Sequence, residues 1–403
     1  MRRLVFILLC FALSAPAAET TVGQNLPLIS LQVAKPIGSE PKVPCTVKIV
    51  PAAGLELGST GALAGLIRYH GASSQGYDKK SFAFTLDAPT RWLGLNEGRH
   101  WVLNAAFVDC SMMRHKLSYD LFQSLSANGA KRFASSSRFV EVNLNSRYHG
   151  AYLLMERVDR ALLGLRRYDS NAPSQAVIYK AIDHSGNFSD LGHGGYEQRE
   201  PEPEVRQYWG PLDELNLFVS RTPDAKFFDA ESGIATRFDL DNVIDFHLLV
   251  LFTSNMDGID KNFILARNAP SAAVPKPKFF FVPWDYDATF GRNWEGSRVS
   301  PTEWISSHLF DRLLSNAAYR QRYAARWRQL RERQFSVENV TRMIDENART
   351  LGDAAKRNER RWKGIEGPGS GQLTFVEDVK QMKEWVVART KWLDQEIMRR
   401  TSR

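Results

Sequence analysis

The chain has 403 residues, 43% of them hydrophobic and 24% charged, which is enough apolar content for a large core and excludes a disordered polymer. Three cysteines exclude a disulfide-dense scaffold, and no Cys/His cluster has zinc-ligand spacing. The formal charge is +8, with Arg320, Arg322, Arg326, Arg328, Arg331 and Arg333 gathered around Trp327; no nucleic-acid motif accompanies them, so a solvated basic helix face is expected and no nucleic-acid partner.

Arg2-Arg3 precede an apolar run from Leu4 to Leu13, followed by Ser14-Ala15-Pro16-Ala17-Ala18. That is the layout of a cleaved secretory signal over residues 1–18, and the run is too short to span a bilayer comfortably. Cys10 lacks the small residue that precedes a lipidated cysteine, so a lipid anchor is not expected. The chain is therefore expected to be secreted or periplasmic, in the cell envelope, with no transmembrane span after cleavage. Cys45 and Cys110 are left either to pair or to stand as separate buried thiols.

Residues 25–50 alternate apolar and polar positions around Ile29, Leu31, Val33, Val43, Val47 and Ile49, and Leu66 to His70 continue this strand character. Gly71-Ala-Ser73-Ser74-Gln-Gly76 then feeds Lys79-Lys80-Ser81-Phe82. A Gly/Ser loop lets backbone N–H groups approach a phosphate and a lysine on the next strand neutralise it, although ordinary hairpins share the composition. Asp109 is placed as an N-cap, after which Met113, Leu117, Leu121 and Leu125 recur every four residues as the buried stripe of a helix. Arg114 and His115 leave that stripe in another direction, and no glutamate occurs between Asp109 and Leu125.

Phe139–Asn145 and Gly150–Glu156 read as a hairpin, with Glu156 to Asp159 as the crossover to a second lobe. Val177–Ala181 is a short strand whose Lys180 is either an edge lysine or faces the cleft. The Gly-, Glu- and Pro-rich stretch from Gly186 to Arg206 reads as a mobile surface loop or lid. Val243–Phe252 is apolar enough for a buried helix. It delivers Asn255-Met-Asp257-Gly-Ile-Asp-Lys-Asn262, and a β-ribbon returns Trp284-Asp285-Tyr-Asp287 and Phe290-Gly291. Hard oxygen ligands of this kind suit a divalent cation among phosphate oxygens, and the spacing from Asp257 to Asn262 equals that of a kinase catalytic loop. Helical patterns over about 306–334, 337–357 and 374–399 complete the chain, the last two separated by a Gly/Pro/Ser linker from Gly364 to Gly371.

Five blocks, Arg68–Phe82, Asp109–Arg114, Val142–Glu156, Asn255–Asn262 and Pro283–Gly291, resemble in order the signature blocks of the CotH family, the spore-coat-protein-H-like atypical kinases, over roughly residues 25–335. The resemblance implies an α+β, divergent two-lobed protein-kinase-like fold: a β-rich N-lobe over 25–160, a helical C-lobe over 161–335 and a helical extension over 336–403. It implies ATP with Mg2+ or Mn2+, and a protein Ser/Thr acceptor. Asp257 resembles the catalytic aspartate; Asn262 and Asp285 resemble the metal ligands, with Asp287 the second candidate. Lys79 or Lys80 resembles the phosphate-contacting lysine, and Glu156 the residue at the crossover beside the adenine. Ser73, Ser74, Arg114 and Lys180 complete the expected nucleotide site. His70 departs from the family, where arginine more usually precedes the glycine.

An ATP-dependent protein Ser/Thr kinase is the leading expectation. The alternatives are a pseudokinase-like envelope or coat assembly module that binds nucleotide without turnover, for which the missing helix glutamate argues, and a metal-dependent hydrolase.

Overall fold

The strand alternation closes into a barrel. In a computed structural model that describes residues 25–52, 61–127, 129–365 and 373–402, seven strands lie in the order β1-β2-β3-β4-β5-β7-β6: β1 (Leu28–Gln32), β2 (Val43–Val50), β3 (Leu63–His70), β4 (Ser81–Thr90), β5 (Gly98–Asn104), β6 (Ser137–Leu144) and β7 (Arg147–Glu156). All neighbours are antiparallel except β1 and β6, whose parallel pairing, with Ile29 opposite Val142, closes the sheet and leaves no free edge. Ile29, Val47, Ile67, Phe84, Trp101 and Val140 fill the interior. β6 and β7 turn at Asn145-Ser146, both at positive φ, as a two-residue hairpin turn requires. The expected signal segment and residues 366–371 of the expected linker lie outside the described residues.

The chain then leaves the barrel for a four-stranded antiparallel sheet, order β11-β10-β8-β9, formed by β8 (Val177–Ala181), β9 (Tyr196–Glu200), β10 (Phe263–Arg267) and β11 (Phe280–Pro283). β9 corrects the expectation of a loop over 186–206. Tyr196 and Gln198 point inward and Glu197 outward, a period of two obscured by the Gly- and Pro-rich flanks. The buried Gln198 amide donates to the carbonyls of Pro201 and Arg206 and accepts from the N–H of Tyr208, which fixes the stretch in place.

The remainder is helical: α1 (Arg114–Ser124), α2 (Gly210–Arg221), the single turn α3 (Asp224–Phe227), α4 (Leu240–Thr253), which packs against α1, α5 (His308–Leu314), α6 (Ala317–Arg331), α7 (Val337–Trp362), which packs against β7, and α8 (Phe375–Thr401). In α4 every residue from Asn242 to Thr253 is buried, and Phe246 stacks on Phe281 of β11 at 4.5 Å between ring centroids. The single helix expected over 306–334 is two, because Asn316 leaves helical geometry and caps α6 through the N–H of Tyr319. The arginines around Trp327 do not form a simple solvated face either: Arg322 pairs with Asp241, Arg326 with the buried Asp245, and Arg331 with Asp394. Among the described residues, no helix is long and apolar enough to cross a membrane.

The helices expected to form a C-terminal extension are wedged into the core. Arg389 of α8 is fully buried and donates to the carbonyls of Leu251, Pro301 and Glu303. Near the start of the same helix, Asp378 binds Arg114 at the start of α1, and Arg114 also binds Asp109; all three side chains are about 1% exposed. Breaking a buried ion pair strands a charge, so Asp378→Ala is expected to lower stability by about 3–5 kcal/mol. Urea denaturation checks this, with Glu384→Ala, on the exposed Lys380–Glu384 pair, leaving the midpoint unchanged.

His247 of α4 gives a second measurable consequence. It is fully buried, with Nε2 2.9 Å from the Ile305 carbonyl and Nδ1 3.0 Å from the Tyr323 hydroxyl, and burial pushes its pKa from 6.5 down to about 4. The folded value lies below the unfolded one, so the stability this histidine confers is complete above pH 6.5 and is lost as pH falls toward 4, at most roughly 3 kcal/mol. Thermal melts are expected to show wild type losing more stability between pH 7 and pH 4.5 than His247→Gln.

Candidate functional site

α4 ends at Ser254, which adopts the left-handed conformation (φ 55°) and turns the chain out of the core. The next residue, Asn255, stitches the site: its Oδ1 accepts from the N–H of Gly258 and its Nδ2 donates to the carbonyl of Asp285 at 3.2 Å. Asp257 opens a single 3-10 turn over Asp257–Ile259, and its half-exposed carboxylate lies 3.0 Å from Lys261 Nζ and 4.0 Å from His184 Nε2. Asn262 and Asp285 stand at the same end of the β10–β11 ribbon, both at positive φ, 58° and 60°. The Asn262 carbonyl accepts from the N–H of Trp284 at 3.2 Å, which ties Asn262 to the residue just before Asp285. Asp257 reaches them through this backbone, not by side-chain contact.

Two residues of α1 hold Asp285. Its N–H donates to the Tyr119 hydroxyl oxygen at 3.0 Å, and its carboxylate lies 3.4 Å from Nε2 of the buried His115. Burial opposes ionisation of Asp285, but the contact with His115 and the charges of His115, Lys180 and His70 outweigh it and hold the carboxyl below its ordinary range. Asp287 is pushed the other way, up to about 7, by burial and by Asp285. Burial likewise opposes protonation of His115, and the hydrogen bond to Asp285, with the charges of Asp287, Asp285 and Asp109, raises it. Two carboxylates that repel one another are a pair of hard oxygen donors whose repulsion a divalent cation would relieve.

Residues 67–393 match the family model described as CotH kinase protein. The chain belongs to that family. It is also 29% identical over 286 residues to the inner spore coat protein H of Bacillus subtilis (strain 168), a match covering 68% of this chain and 72% of that one. The family match runs through α7 and into α8, beyond residue 335, consistent with the burial of those helices.

A cleft lies between the barrel of this CotH-family chain and its four-stranded sheet, with a cavity of about 100 Å³. Ala83 and Val102 from the barrel, Val158 from the crossover and Ile264 and Trp284 from the ribbon give it apolar walls, and Lys42, Arg68, His70, Arg157, Lys180 and Arg199 also line it. Lys180 faces the cleft and sits over the Trp284 ring, 5.0 Å from its centroid. His70 is pushed down to about 4 by burial, with Lys180 and Arg68 adding to the effect.

The other expected nucleotide residues are placed differently. Lys79 is 2% exposed, donates to the carbonyls of Ala105 (2.7 Å) and Ala151 (2.6 Å), and lies over Tyr152; burial pulls its pKa down to about 7. Lys80 donates to the carbonyls of Gln75 and Tyr77 and so anchors the turn that carries Ser73, exposed, and Ser74, half-buried. Arg114 is consumed by Asp109, Asp378, Gln381 and the Thr289 carbonyl. Glu156 is buried at the end of β7, where one oxygen accepts from the N–H of Asn96 at 2.5 Å and the other has no partner. Asn255, Tyr119 and the cleft arginines escaped the sequence reading. His115 was visible only as a polar residue off the helix stripe.

Backbone and side-chain roles of Asn262 can be separated. Glycine accepts the left-handed conformation and alanine resists it by about 1–2 kcal/mol. Asn262→Gly is therefore expected to keep the melting temperature within about 2 °C of wild type while Asn262→Ala lowers it by several degrees. If the amide serves a metal, both variants lose Mn2+ affinity equally in calorimetry.

Proposed function

We propose that this chain is an ATP-dependent protein Ser/Thr kinase of divergent two-lobed kinase-like fold that acts outside the cytoplasm, secreted or periplasmic. The observation that carries the reading is that two left-handed residues, Asn262 and Asp285, stand at one end of the β10–β11 ribbon, one loop from Asp257, with Trp284 between them in the ladder and lining a cation-rich cleft. The family match supports it.

Among the described residues no group of three or more His, Cys, Asp or Glu side chains could hold a metal ion by itself. The donors present, Asp285, Asp287 and the Asn262 amide oxygen, suit Mg2+ or Mn2+ that completes its shell with phosphate oxygens and water. Such an ion, when bound, would neutralise charge on the transferred phosphoryl group. The chain's own part is positional. Asp257 orients the acceptor hydroxyl and accepts its proton as the oxygen attacks the γ-phosphorus and the bond to the β-phosphate oxygen breaks, releasing ADP. Lys261, 3.0 Å from Asp257, holds that carboxylate in place.

A second reading has specific support. With the ammonium groups of Lys79 and Lys80 bound to backbone carbonyls and no glutamate on α1, the usual lysine–glutamate pair is absent among the described residues, as in a pseudokinase that binds nucleotide without turnover. Incubation of the mature protein with γ-labelled ATP, casein and Mg2+ or Mn2+ decides between them. Phosphotransfer that falls by about a hundredfold or more in Asp257→Asn is expected of the kinase. Nucleotide binding without transfer would favour the pseudokinase, and label released only as free phosphate would indicate a hydrolase.

A further inference from the structure

The two carboxylate oxygens of Asp257 meet different neighbours. Oδ2 lies 3.0 Å from Lys261 Nζ on the same turn, and Oδ1 lies 4.0 Å from Nε2 of His184, which comes from the other side of the chain's four-stranded sheet order, just after β8. At 4.0 Å Oδ1 and Nε2 are too far apart to hydrogen-bond, so neither satisfies the other. The gap is nevertheless one that a single oxygen atom bridges: an oxygen about 2.8 Å from each fits at the apex of the triangle without a clash. Among the described residues, neither Oδ1 of Asp257 nor the His184 ring has a hydrogen-bond partner, and with side chains 40% and 63% exposed the gap is open to an incoming group.

The backbone that carries His184 is held firmly, although its ring is not. His184 opens a 3-10 turn over His184–Gly186 that Asp183 caps by accepting from the N–H of Ser185 at 2.8 Å. The Gly186 carbonyl accepts from the hydroxyl of the buried Tyr196 at 2.8 Å. A Cβ at Gly186 would lie 2.8 Å from the Asp260 carbonyl, so this turn rests directly on the one that begins at Asp257. On one side of it the N–H of Asn262 donates to the Ala181 carbonyl at 3.1 Å; on the other, Phe188 is buried and stacks on Phe263, the residue after Asn262, at 6.0 Å between centroids. A rigid turn that presents an unpartnered donor beside a carboxylate is what the recognition of a hydroxyl group requires.

We propose that His184 is a second catalytic residue on the acceptor side, its Nε2–H donating to the Ser or Thr hydroxyl oxygen whose proton faces Oδ1 of Asp257. The proposal rests on the reading of Asp257 as the group that accepts that proton. Nε2 donates both in the imidazolium and in the Nε2–H tautomer. The hydroxyl oxygen has two lone pairs; His184 engages one and leaves the other for the γ-phosphorus, which fixes the direction of attack. As the bond from the hydroxyl oxygen to the γ-phosphorus forms, the bond from that phosphorus to the bridging oxygen breaks and ADP leaves with its electrons. The hydroxyl proton passes to Asp257, and the imidazole proton stays on His184.

The test measures transfer of γ-label to casein, to the chain itself and to water, at varied ATP, in wild type, His184→Ala and His184→Gln. His184→Ala is expected to lower kcat at least about tenfold, as loss of one hydrogen bond to the reacting oxygen implies, with the KM for ATP unchanged. Imidazole in the buffer is expected to restore part of that loss, and His184→Gln, whose amide N–H still donates, to keep several times the activity of His184→Ala. The melting temperature is expected to stay at the wild-type value in both variants, because the ring is exposed. An unchanged kcat in His184→Ala overturns the proposal and leaves the phosphotransfer reading standing. So does an equal loss in both variants that imidazole does not reverse, or a loss that follows a lowered melting temperature, either of which makes the role structural. If wild type transfers label to none of the three acceptors, the reading of Asp257 fails and His184 loses its role with it.

Discussion

The buried guanidinium of Arg114 is the constraint on which the site depends. It receives Asp109 from the loop that leaves the barrel, Asp378 from α8 and the carbonyl of Thr289 from the segment just after the Asp285–Asp287 turn. Three regions far apart in sequence are thus tied to one planar, permanently charged group at about 1% exposure. An arginine desolvated to this degree is tolerable only because carboxylates flank it and hydrogen bonds satisfy the fork, so loss of any partner is felt by the others. The next residue, His115, and Tyr119 one turn along α1 are the two that grip Asp285. Fixing the start of α1 therefore fixes the carboxylate.

The site combines local strain with global support. Ser254, Asn262, Asp285 and Phe290 are non-glycine residues at positive φ within 37 residues of chain. Such residues persist where surroundings over-determine them, and they gather at functional sites. Here the surroundings are α4, buried along almost its whole length, the aromatic packing of Phe246, Phe263 and Phe281 beneath the ribbon, and α8 above it. α8 approaches so closely that a Cβ at Gly291 (φ 85°) would sit 2.3 Å from the Trp385 ring. The last helix is thus part of the structure that carries the candidate site, which accords with a family match that reaches residue 393.

The Asp285–Asp287 turn and the neighbouring cleft carry opposite charge. At the turn Asp285 pushes up the pKa of Asp287, a repulsion that a cation would relieve, whereas Lys42, Arg68, Arg157, Lys180 and Arg199 line the cleft. Lys180 and His70 both line the cleft, the first over Trp284 and the second with its pKa pulled down to about 4 by burial. A ligand that carries both a metal ion and phosphate groups meets both requirements at once. Of the two lysines that a strand-and-loop pattern would assign to phosphate, Lys79 bridges carbonyls of the β5–α1 connection and β7, and Lys80 closes the turn after β3.

Much was determined by sequence alone. Alternation marked the barrel strands, four-residue spacing marked the buried stripe of α1, and an unbroken apolar run marked α4; each pattern depends only on neighbours along the chain. The ordered blocks around Asp257, Asn262 and Asp285 were enough to indicate the family. Only the tertiary structure decided which charges face the cleft. Lys79 and Lys80 read alike, yet one is buried against two carbonyls and the other caps a turn; Arg157, Arg199 and Lys42 carried no motif, yet they converge. Strand β9 and the pairing of Asp378 with Arg114, 264 positions apart, were equally hidden. The reason is physical: local patterns fix which side of an element is buried, whereas the partner of a charge is set by which elements pack against it.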